Sequence, residues 1–415
     1  MPQANIGPTE TQLADSVAGF GWDGNLLEPG IALAMSGGGF RAMLFHAGAL
    51  MRLNELGLLS KIKRISSVSG GSIAAGHLAT AWAGLGRPDA NGAFGNFKAL
   101  YVAPILTFSR HNLDVKTTLI GLLPGFSAAA LLAKSYEKYL FGTRTLQDIP
   151  DSPRFVFCAT NLQSGVLFRF SKPYAGDYVI GRLDKPKIRL SQAVAASSAF
   201  PPVLSPLELR LPEGSFTQWP TRSGVSSLSR DELAALRRRV VLTDGGVYDN
   251  HGLEPVVKRY MTILVSDGGA PFGRSAQIGF DWVRQLRRIL EVTDNQVRAL
   301  RRRNLIDRLS AGKTAFDNGT LSANETRAHE RFGAFWGIDT DAARFTPPDA
   351  LPCDGPLTDR LARTSTRLTD LGETTSKQLI NWGYAICDRS IRTHYRGADP
   401  LDKVRPAWPY AEANL

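Results

Sequence analysis

The chain has 415 residues, of which 43% are hydrophobic and 21% charged, and its formal net charge is +11. This length and composition allow a large buried core and exclude a wholly disordered chain. The basic balance favours polyanionic partners in general, such as nucleic acid, an anionic lipid surface or a phosphorylated substrate, although a solvated arginine-rich surface would carry the same charge.

The three cysteines, Cys158, Cys353 and Cys387, lie far apart and form no CxxC pair. This usage argues against a disulfide framework and a zinc site, and it fits a reducing compartment. The segment MPQANIGPTETQLADS has neither a basic stretch nor an apolar stretch of the kind a secretory signal needs. We therefore expect a cytoplasmic protein, with peripheral membrane contact as a further expectation, and we expect no metal and no cofactor.

An irregular lead-in over 1–27 precedes the first regular elements. The apolar run at 31–36 predicts a buried strand that ends in three glycines, and the next residues carry apolar side chains at helical spacing as far as Gly57. A second strand is predicted at 62–69 and a second helix directly after it. Alternating strands and helices indicate a parallel sheet that is covered by helices on both faces.

Six further segments continue this pattern: mostly helical residues 95–145, a strand at 154–162, a hairpin-like region at 166–180, a short helix at 187–204 stopped by Pro201–Pro202, and two strands within 238–246 and 261–269 that each end in Asp-Gly-Gly. Ligand sites in open parallel sheets lie at the carboxyl ends of strands. Four glycine-rich loops at four strand ends therefore predict one shared site.

The chain divides into the lead-in, a core at 28–275 and a mostly helical C-terminal extension at 276–415 packed on that core. The extension begins with a long amphipathic helix whose arginine-rich part is 284–308. Those arginines favour an anionic bilayer surface, whereas the lack of interleaved aromatics argues against nucleic acid. The uncharged run Thr117–Ala133 is broken by Pro124 and is too short to span a bilayer, so we interpret it as buried or interfacial structure.

The segment SGGGFRA (36–42) links the first predicted strand to the first predicted helix. It matches a weak form of the dinucleotide fingerprint, but the nearest acidic residue, Glu55, falls inside the predicted helix instead of ending the next strand. No Lys-Ser/Thr pair follows at the spacing of a P-loop. A third interpretation is an oxyanion hole, because glycines let bare N–H groups approach a ligand at a helix N-terminus whose dipole favours negative charge.

The segment ISSVSGGSIAAGHL (65–78) holds four serines between a predicted strand and a predicted helix. A nucleophile elbow places a serine on a sharp turn there and needs small residues two positions before and two after it. Ser69 meets this condition with Ser67 and Gly71. Ser72 is the rival, but it lies inside the helical pattern. For either glycine loop alone, a turn without chemistry is an equal alternative, and the presence of two such loops weakens it.

Taken together, these segments resemble the patatin-like phospholipases and the related cytosolic phospholipase A2 branch. That family combines a GGG-x-R loop, a GxSxG elbow and a downstream Asp-Gly-Gly or Asp-Gly-Ala. This sequence has GGGFR at 37–41, SVSGG at 67–71, the small-residue segment AVAASSAFPPV at 193–203 and DGG at 244–246. The match spans about 31–270. It departs from the family at Ser67, where the pattern has glycine, although serine is small enough to fit.

The resemblance implies a three-layer α/β/α fold with a mostly parallel central sheet, plus the helical C-terminal extension. It also implies a Ser–Asp dyad in place of a triad. The implied site residues are the nucleophile Ser69, the base Asp244, the oxyanion glycines Gly37, Gly38 and Gly39, and Arg41. An ordinary aspartate, with a pKa of ~3.9, is a poor base toward a serine, so burial would have to raise the proton affinity of this one.

Three assignments have alternatives. Arg41 is expected to bind a substrate phosphate or to hold the oxyanion loop, or else it is a structural arginine. Asp267 also precedes Gly-Gly at a strand end, but Asp244 comes first after the proline pair and is followed by VYDN, as in the family. A triad would need a histidine. The six candidates, each interpreted as structural, are His46, His77 and His251, with less support for His111, His329 and His394.

The expected function is a serine-dependent lipid acyl hydrolase of phospholipase A or lysophospholipase type, with a glycerophospholipid or another lipid ester as its substrate. Two alternatives remain. One is a Ser-His-Asp esterase of the α/β-hydrolase type with the same elbow. The other is a non-catalytic protein that keeps the fold and binds a lipid or a partner.

Overall fold

The computed structural model of the chain describes residues 27–113, 127–217, 228–320, 330–397, 401 and 404–415. Most of the lead-in, residues 117–126 of the uncharged run, and His329 lie outside the described residues. Among the helices that are described, none combines the length and the apolar character needed to cross a membrane.

The regular elements alternate between strands and helices in the first third of the chain. They are β1 (Glu28–Met35), α1 (Gly39–Glu55), β2 (Ile62–Val68), α2 (Gly70–Ala81), α3 (Ala103–Phe108), α4 (Ala128–Tyr136) and β3 (Arg154–Asn161). The middle of the chain contains β4 (Val166–Phe170), β5 (Tyr174–Asp177), β6 (Gly181–Asp184), α5 (Leu190–Ser197), β7 (Leu207–Arg210), β8 (Phe216–Thr217), α6 (Arg230–Arg238) and β9 (Arg239–Asp244).

The last part of the chain contains longer helices and two more strands. These elements are α7 (Gly246–Asp249), α8 (Glu254–Val257), β10 (Tyr260–Asp267), α9 (Trp282–Asp317), β11 (Phe332–Gly337), α10 (Gly355–Ala362) and α11 (Glu373–His394). Short 3-10 or π-helical turns lie at Leu59–Lys61, Trp82–Leu85, Lys98–Val102, Glu137–Phe141, Glu213–Ser215, Ala342–Arg344 and Ala411–Ala413. All five predicted strands are confirmed as β1, β2, β3, β9 and β10.

The described strands form one mixed sheet with the main order β11-β10-β1-β2-β3-β4-β5-β6-β8. The first five of these strands are parallel, and the strands after β3 are antiparallel. Successive side chains of a strand point to opposite faces. In β1, Leu33 and Met35 join the large cluster formed with α1, α2 and α11, whereas Ala32 and Ala34 join a second cluster with α8 and α9. The α/β prediction is therefore confirmed, with helices on both faces of a mostly parallel centre.

One edge of β3 is shared by two strands that approach from opposite ends. β2 runs parallel to the first part of β3, with Val68 opposite Cys158. β9 runs antiparallel to the last part, with Asp244 opposite Ala159. Because β4 occupies the other edge over 157–161, β2 and β9 lie on the same edge and meet end to end. The prediction that the glycine-rich loops form one shared site assumed that all of these strands are parallel. β9 corrects that assumption, since it is antiparallel and brings its loop to β2 from the opposite direction.

Residues beyond 276 complete this sheet and one of its helical layers. β11 extends the sheet as a parallel neighbour of β10, and this strand was not predicted from the sequence. α11 crosses α1 at very short range. A Cβ atom on Gly383 would lie 1.8 Å from the carbonyl oxygen of Phe45, and one on Gly48 would lie 1.8 Å from that of Ile380. Only glycine permits this backbone contact, so the two helices lock together through it.

The crossing predicts a loss of stability when either glycine gains a methyl group. Gly383→Ala should lower the free energy of unfolding by about 1–3 kcal/mol, because the new Cβ overlaps a carbonyl that cannot move alone. Gly355→Ala is the control: it lies at the start of α10, and a Cβ added there would meet no described atom within 4 Å. It should be neutral or slightly stabilising. Chemical denaturation of both variants measures the difference, and equal midpoints would contradict the proposed lock.

Candidate active site

Ser69 occupies a strained turn between β2 and α2. Its backbone has φ 49° and ψ −117°, a conformation that side-chain-bearing residues rarely adopt. The turn is packed against the glycine loop. A Cβ on Gly70 would lie 2.2 Å from the carbonyl oxygen of Gly39, and one on Gly71 would lie 2.6 Å from that of Ser36. The chain therefore makes here the sharp strand-to-helix turn that a nucleophile elbow requires, with Ser69 at the N-terminus of α2.

Three buried serine hydroxyls form a hydrogen-bonded chain that reaches the backbone of Ser69. The Oγ atoms of Ser67 and Ser72 are 3.0 Å apart, and those of Ser72 and Ser197 are 2.9 Å apart. The Ser197 hydroxyl donates to the carbonyl of Cys158 at 2.6 Å and accepts from the N–H of Ser69 at 3.0 Å. Ser72 is thus fully engaged and fully buried, whereas Ser69 is partly exposed.

This network also accounts for the departure at Ser67, because its hydroxyl is a hydrogen-bonded member of the chain of serines. No role was predicted for Ser197 from the sequence. Its only signal was its position in the small-residue segment AVAASSAFPPV, which places it on α5 just before the proline pair.

Asp244 ends β9 at the point where that strand meets β2. It is 3% exposed, and its Oδ1 accepts from the N–H of Gly246 at 2.7 Å. Its Oδ2 is buried, and no hydrogen-bond donor reaches it within the described part of the chain. Burial raises the pKa of Asp244 to about 7, although the Gly246 N–H and the nearby Ser69 side chain oppose that rise. The carboxylate is therefore a far stronger base than an ordinary aspartate.

Asp267 has the same Asp-Gly-Gly context but the opposite environment. Its Oδ2 lies 3.1 Å from Nε2 of His251 and 3.8 Å from the guanidinium of Arg298, and its Oδ1 accepts from the N–H of Gly269. Burial acts to raise the pKa of Asp267, but His251, Arg298 and Arg302 outweigh it and hold that pKa well below its usual range. Such a carboxylate stays ionised at neutral pH and is a weak base.

The three glycines after β1 are not equivalent. The N–H of Gly37 donates to the carbonyl of Asn250 at 3.0 Å, so this donor is already engaged. The N–H groups of Gly38, Gly39 and Gly70 have no acceptor among the described residues. Gly38 is partly exposed, and Gly39 is in contact with the elbow. The unengaged donors therefore come from Gly38, Gly39 and the residue after Ser69, and the structure sets Gly37 apart from them.

Arg41 is fully buried on the first turn of α1. Its guanidinium donates twice to the carbonyl of Gly268 and once each to those of Ala362 (3.2 Å) and Thr364 (2.8 Å). Burial lowers its pKa to about 10, so it remains charged at neutral pH. This placement corrects the expected substrate-binding role, because the guanidinium faces backbone carbonyls and has no surface open to a ligand. It corresponds to the loop-holding role instead.

None of the described histidines donates to, or accepts from, the side chain of Ser69. His46 bridges the Ser266 hydroxyl and the Ser36 carbonyl, and burial lowers its pKa to about 4. His77 stacks on Tyr101 with ring centroids 5.5 Å apart, and burial lowers its pKa to about 4 as well. His251 pairs with Asp267. His111 stacks on Tyr139, and His394 packs edge-on against Phe345.

The chain belongs to the patatin-like phospholipase family, whose model matches residues 33–257. The matched segment begins in β1 and ends in α8, so it includes the glycine loop, the elbow and the Asp-Gly-Gly of β9. No curated protein shows significant sequence similarity to the chain. Membership of this family supports a lipid acyl hydrolase.

Several solved structures are similar in fold at low identity. Human GIVD cytosolic phospholipase A2 in complex with methyl gamma-linolenyl fluorophosphonate and terbium chloride is 15% identical, with a TM-score of 0.46, and covers 86% of this chain and 57% of its own. The complex without terbium is 14% identical, with a TM-score of 0.41, and the match covers 86% of this chain and 60% of that one. VipD from Legionella pneumophila is 14% identical, with a TM-score of 0.30, and the match covers 86% of this chain and 67% of that one. This chain thus spans about half to two thirds of the length of those proteins.

The environment of Asp244 predicts a pH-dependent cost to stability. Because its folded-state pKa, about 7, exceeds its unfolded value, stability is lost as the pH rises through 7. Asp244→Asn should therefore unfold at a higher temperature than the wild type at pH 8, with the gap closing toward pH 4. Thermal scans at both pH values measure the gap. An Asp244→Asn variant that is less stable than the wild type at pH 8 would contradict the account.

Proposed function

We propose that the protein is a serine-dependent hydrolase of phospholipase A or lysophospholipase type, which cleaves carboxylic esters of glycerolipids through a Ser69–Asp244 dyad and an acyl-enzyme. One observation carries the proposal. A buried carboxylate with a pKa of about 7 and an unengaged oxygen lies beside a serine on a strained elbow. Perturbed titratable groups next to an activated nucleophile are typical of catalytic sites.

In the first half of the reaction, the Ser69 hydroxyl attacks the ester carbonyl while Asp244 takes its proton. The carbonyl electrons move onto oxygen, and the N–H groups of Gly38, Gly39 and Gly70 stabilise that oxyanion. When the intermediate collapses, the bond to the glycerolipid oxygen breaks and Asp244 returns the proton to the leaving alcohol. The acyl group remains on Ser69.

In the second half, Asp244 takes a proton from water, and the resulting nucleophile attacks the acyl carbon. Collapse of this second intermediate releases the fatty acid and restores the Ser69 hydroxyl with the proton from Asp244. The dipole of α2, which begins at Gly70, stabilises negative charge at the site in both halves. Arg41 acts as a positioning residue, because it fixes the glycine loop against Gly268 and the segment 362–364.

The Ser-His-Asp alternative has less support. His251 and Asp267 form a pair that resembles the second half of a triad, but the described contacts do not bring His251 to the nucleophile. We also propose a cytoplasmic location with peripheral access to a membrane. The three free thiols are in keeping with a reducing compartment, and the lipid substrate requires contact with a membrane surface.

A fluorophosphonate probe should label the protein at Ser69. Ser69→Ala should abolish labelling, whereas Ser72→Ala should keep it, since Ser72 contributes only to the hydroxyl network. Asp244→Asn should slow labelling by about a thousandfold, in line with the loss of a general base. Intact-mass spectrometry against time measures the wild type, these three variants and His251→Asn. Labelling that survives Ser69→Ala but not Ser72→Ala would overturn the assignment. If His251→Asn is labelled as slowly as Asp244→Asn, the result would favour a triad.

Ester hydrolysis should depend on the ionisation of Asp244. The base is protonated below its pKa, so kcat/KM should rise with pH and level off above a midpoint near 7. A water-dispersed short-chain ester, assayed between pH 5 and pH 9 with background hydrolysis subtracted, gives the profile. A rate that is flat across this range, or one with a midpoint near that of an ordinary aspartate, would rule out Asp244 as the base.

A further inference from the structure

The first three turns of α9 are largely exposed. From Asp281 to Asp294 every residue is exposed except Arg288 and Glu291, which are partly buried. The large apolar side chains that are exposed here form what we name the apolar stripe: Phe280 (97%), Trp282 (77%), Val283 (55%), Leu286 (51%), Ile289 (59%) and Leu290 (58%). A contiguous apolar surface of this kind marks an interaction site, because folded proteins rarely leave one in water.

Helix geometry separates this stripe from the side of α9 that contacts the protein. At about 100° per residue, Trp282, Leu286 and Ile289 share one side. The opposite side contacts the loop after β10. There Arg288 donates to the carbonyl of Gly273 at 2.9 Å, and Arg298 donates to that of Ala270 at 2.9 Å. The stripe therefore points outward, away from the described body of the molecule.

The charge around the stripe indicates what it contacts. Residues 281–303 contain seven arginines and three acidic residues, and four of the arginines follow the stripe at 298–303. Arg287, about 60° from Leu290 around the axis, has 80% of its side chain exposed. Helices that lie in a bilayer interface combine tryptophan, phenylalanine and leucine with flanking arginines in this way. A second copy of the chain fits less well, since pairing two such helices would bring their excess positive charge together.

The same helix also reaches the catalytic residues. One turn after Leu290, Asp294 contributes to the raised pKa of Asp244. Farther along α9, the Arg301 guanidinium lies 5.3 Å from the ring centre of Tyr248 and 3.7 Å from the Asp249 carboxylate, on the turn that follows Asp244. The stripe thus lies on a helix that farther along its length contacts the turn after Asp244.

We propose that the apolar stripe docks the protein on an anionic lipid bilayer and holds the active site at the bilayer surface. This inference rests on the proposed function, since it names where that site meets its substrate. The stripe enters the interfacial region, and the arginines beside it contact lipid phosphates and the other anionic head groups.

Cosedimentation with vesicles of phosphatidylcholine and phosphatidylglycerol tests the docking. Leu290→Glu places a charge on the stripe and should weaken binding about tenfold or more, because a carboxylate must stay out of the apolar layer. Leu100→Glu makes the same change on another exposed leucine. Leu100 is 39% exposed and lies on the turn Lys98–Val102, outside α9, so the binding of this variant should stay close to that of the wild type. Vesicles of phosphatidylcholine alone should bind all three proteins more weakly.

Equal binding by Leu290→Glu and the wild type would overturn the docking surface. So would a wild-type dimer that Leu290→Glu converts to a monomer, as measured by light scattering, with no change in vesicle binding. A monomeric short-chain ester separates the two proposals. If Ser69-dependent turnover of that ester is present but vesicles are not bound, docking fails and the hydrolase stands. If vesicles are bound through the stripe but no ester is cleaved, the hydrolase fails and the docking surface stands.

Discussion

The meeting of β2 and β9 along one edge of β3 is the constraint on which the site depends. β2 pairs with the first part of this edge and ends at Val68, and β9 pairs with the last part and ends at Asp244. Neither can be extended without displacing the other. The residues at the junction, Ser69 and Asp244, are therefore held close by backbone hydrogen bonds of the sheet. Their relative position does not depend on flexible side chains or on a surface loop.

The two Asp-Gly-Gly segments illustrate how environment divides the roles of identical motifs. Asp267 is surrounded by His251, Arg298 and Arg302, which stabilise its charge. Asp244 is equally enclosed, but no cation of the described chain offsets its burial, and its pKa rises toward neutrality. Burial alone penalises a carboxylate, whereas burial with cations stabilises it. The same Asp-Gly-Gly sequence thus yields an ionised carboxylate in one loop and a carboxyl group with a pKa of about 7 in the other.

Local patterns were sufficient to predict the central strands and the sharp turn at Ser69, whereas the preference for Asp244 over Asp267 came from the family resemblance and stays a prediction. Apolar runs that end in glycine are set by neighbouring residues, and these are visible in a sequence. Three features were out of reach because they depend on distant partners. Arg41 is buried by carbonyls more than 200 positions away, β11 is a strand only because β10 offers a free edge, and Ser197 gains its role from the N–H of Ser69. The direction of β9 was also hidden, since an apolar run does not reveal which way its partner points.

The glycine loop also depends on the far end of the chain. Arg41 donates to Ala362 and Thr364, the N–H of Phe40 donates to the carbonyl of Arg367, and Gly39 lies against the carbonyl of Thr366. During synthesis Ser69 and Asp244 emerge long before this segment does. The loop therefore cannot take its described shape until residue 367 has left the ribosome. A nascent or truncated chain that ends before residue 362 would carry both Ser69 and Asp244 but lack the contacts that hold Gly38 and Gly39 in place, so the glycine loop takes its shape only after the segment 362–367 has been made.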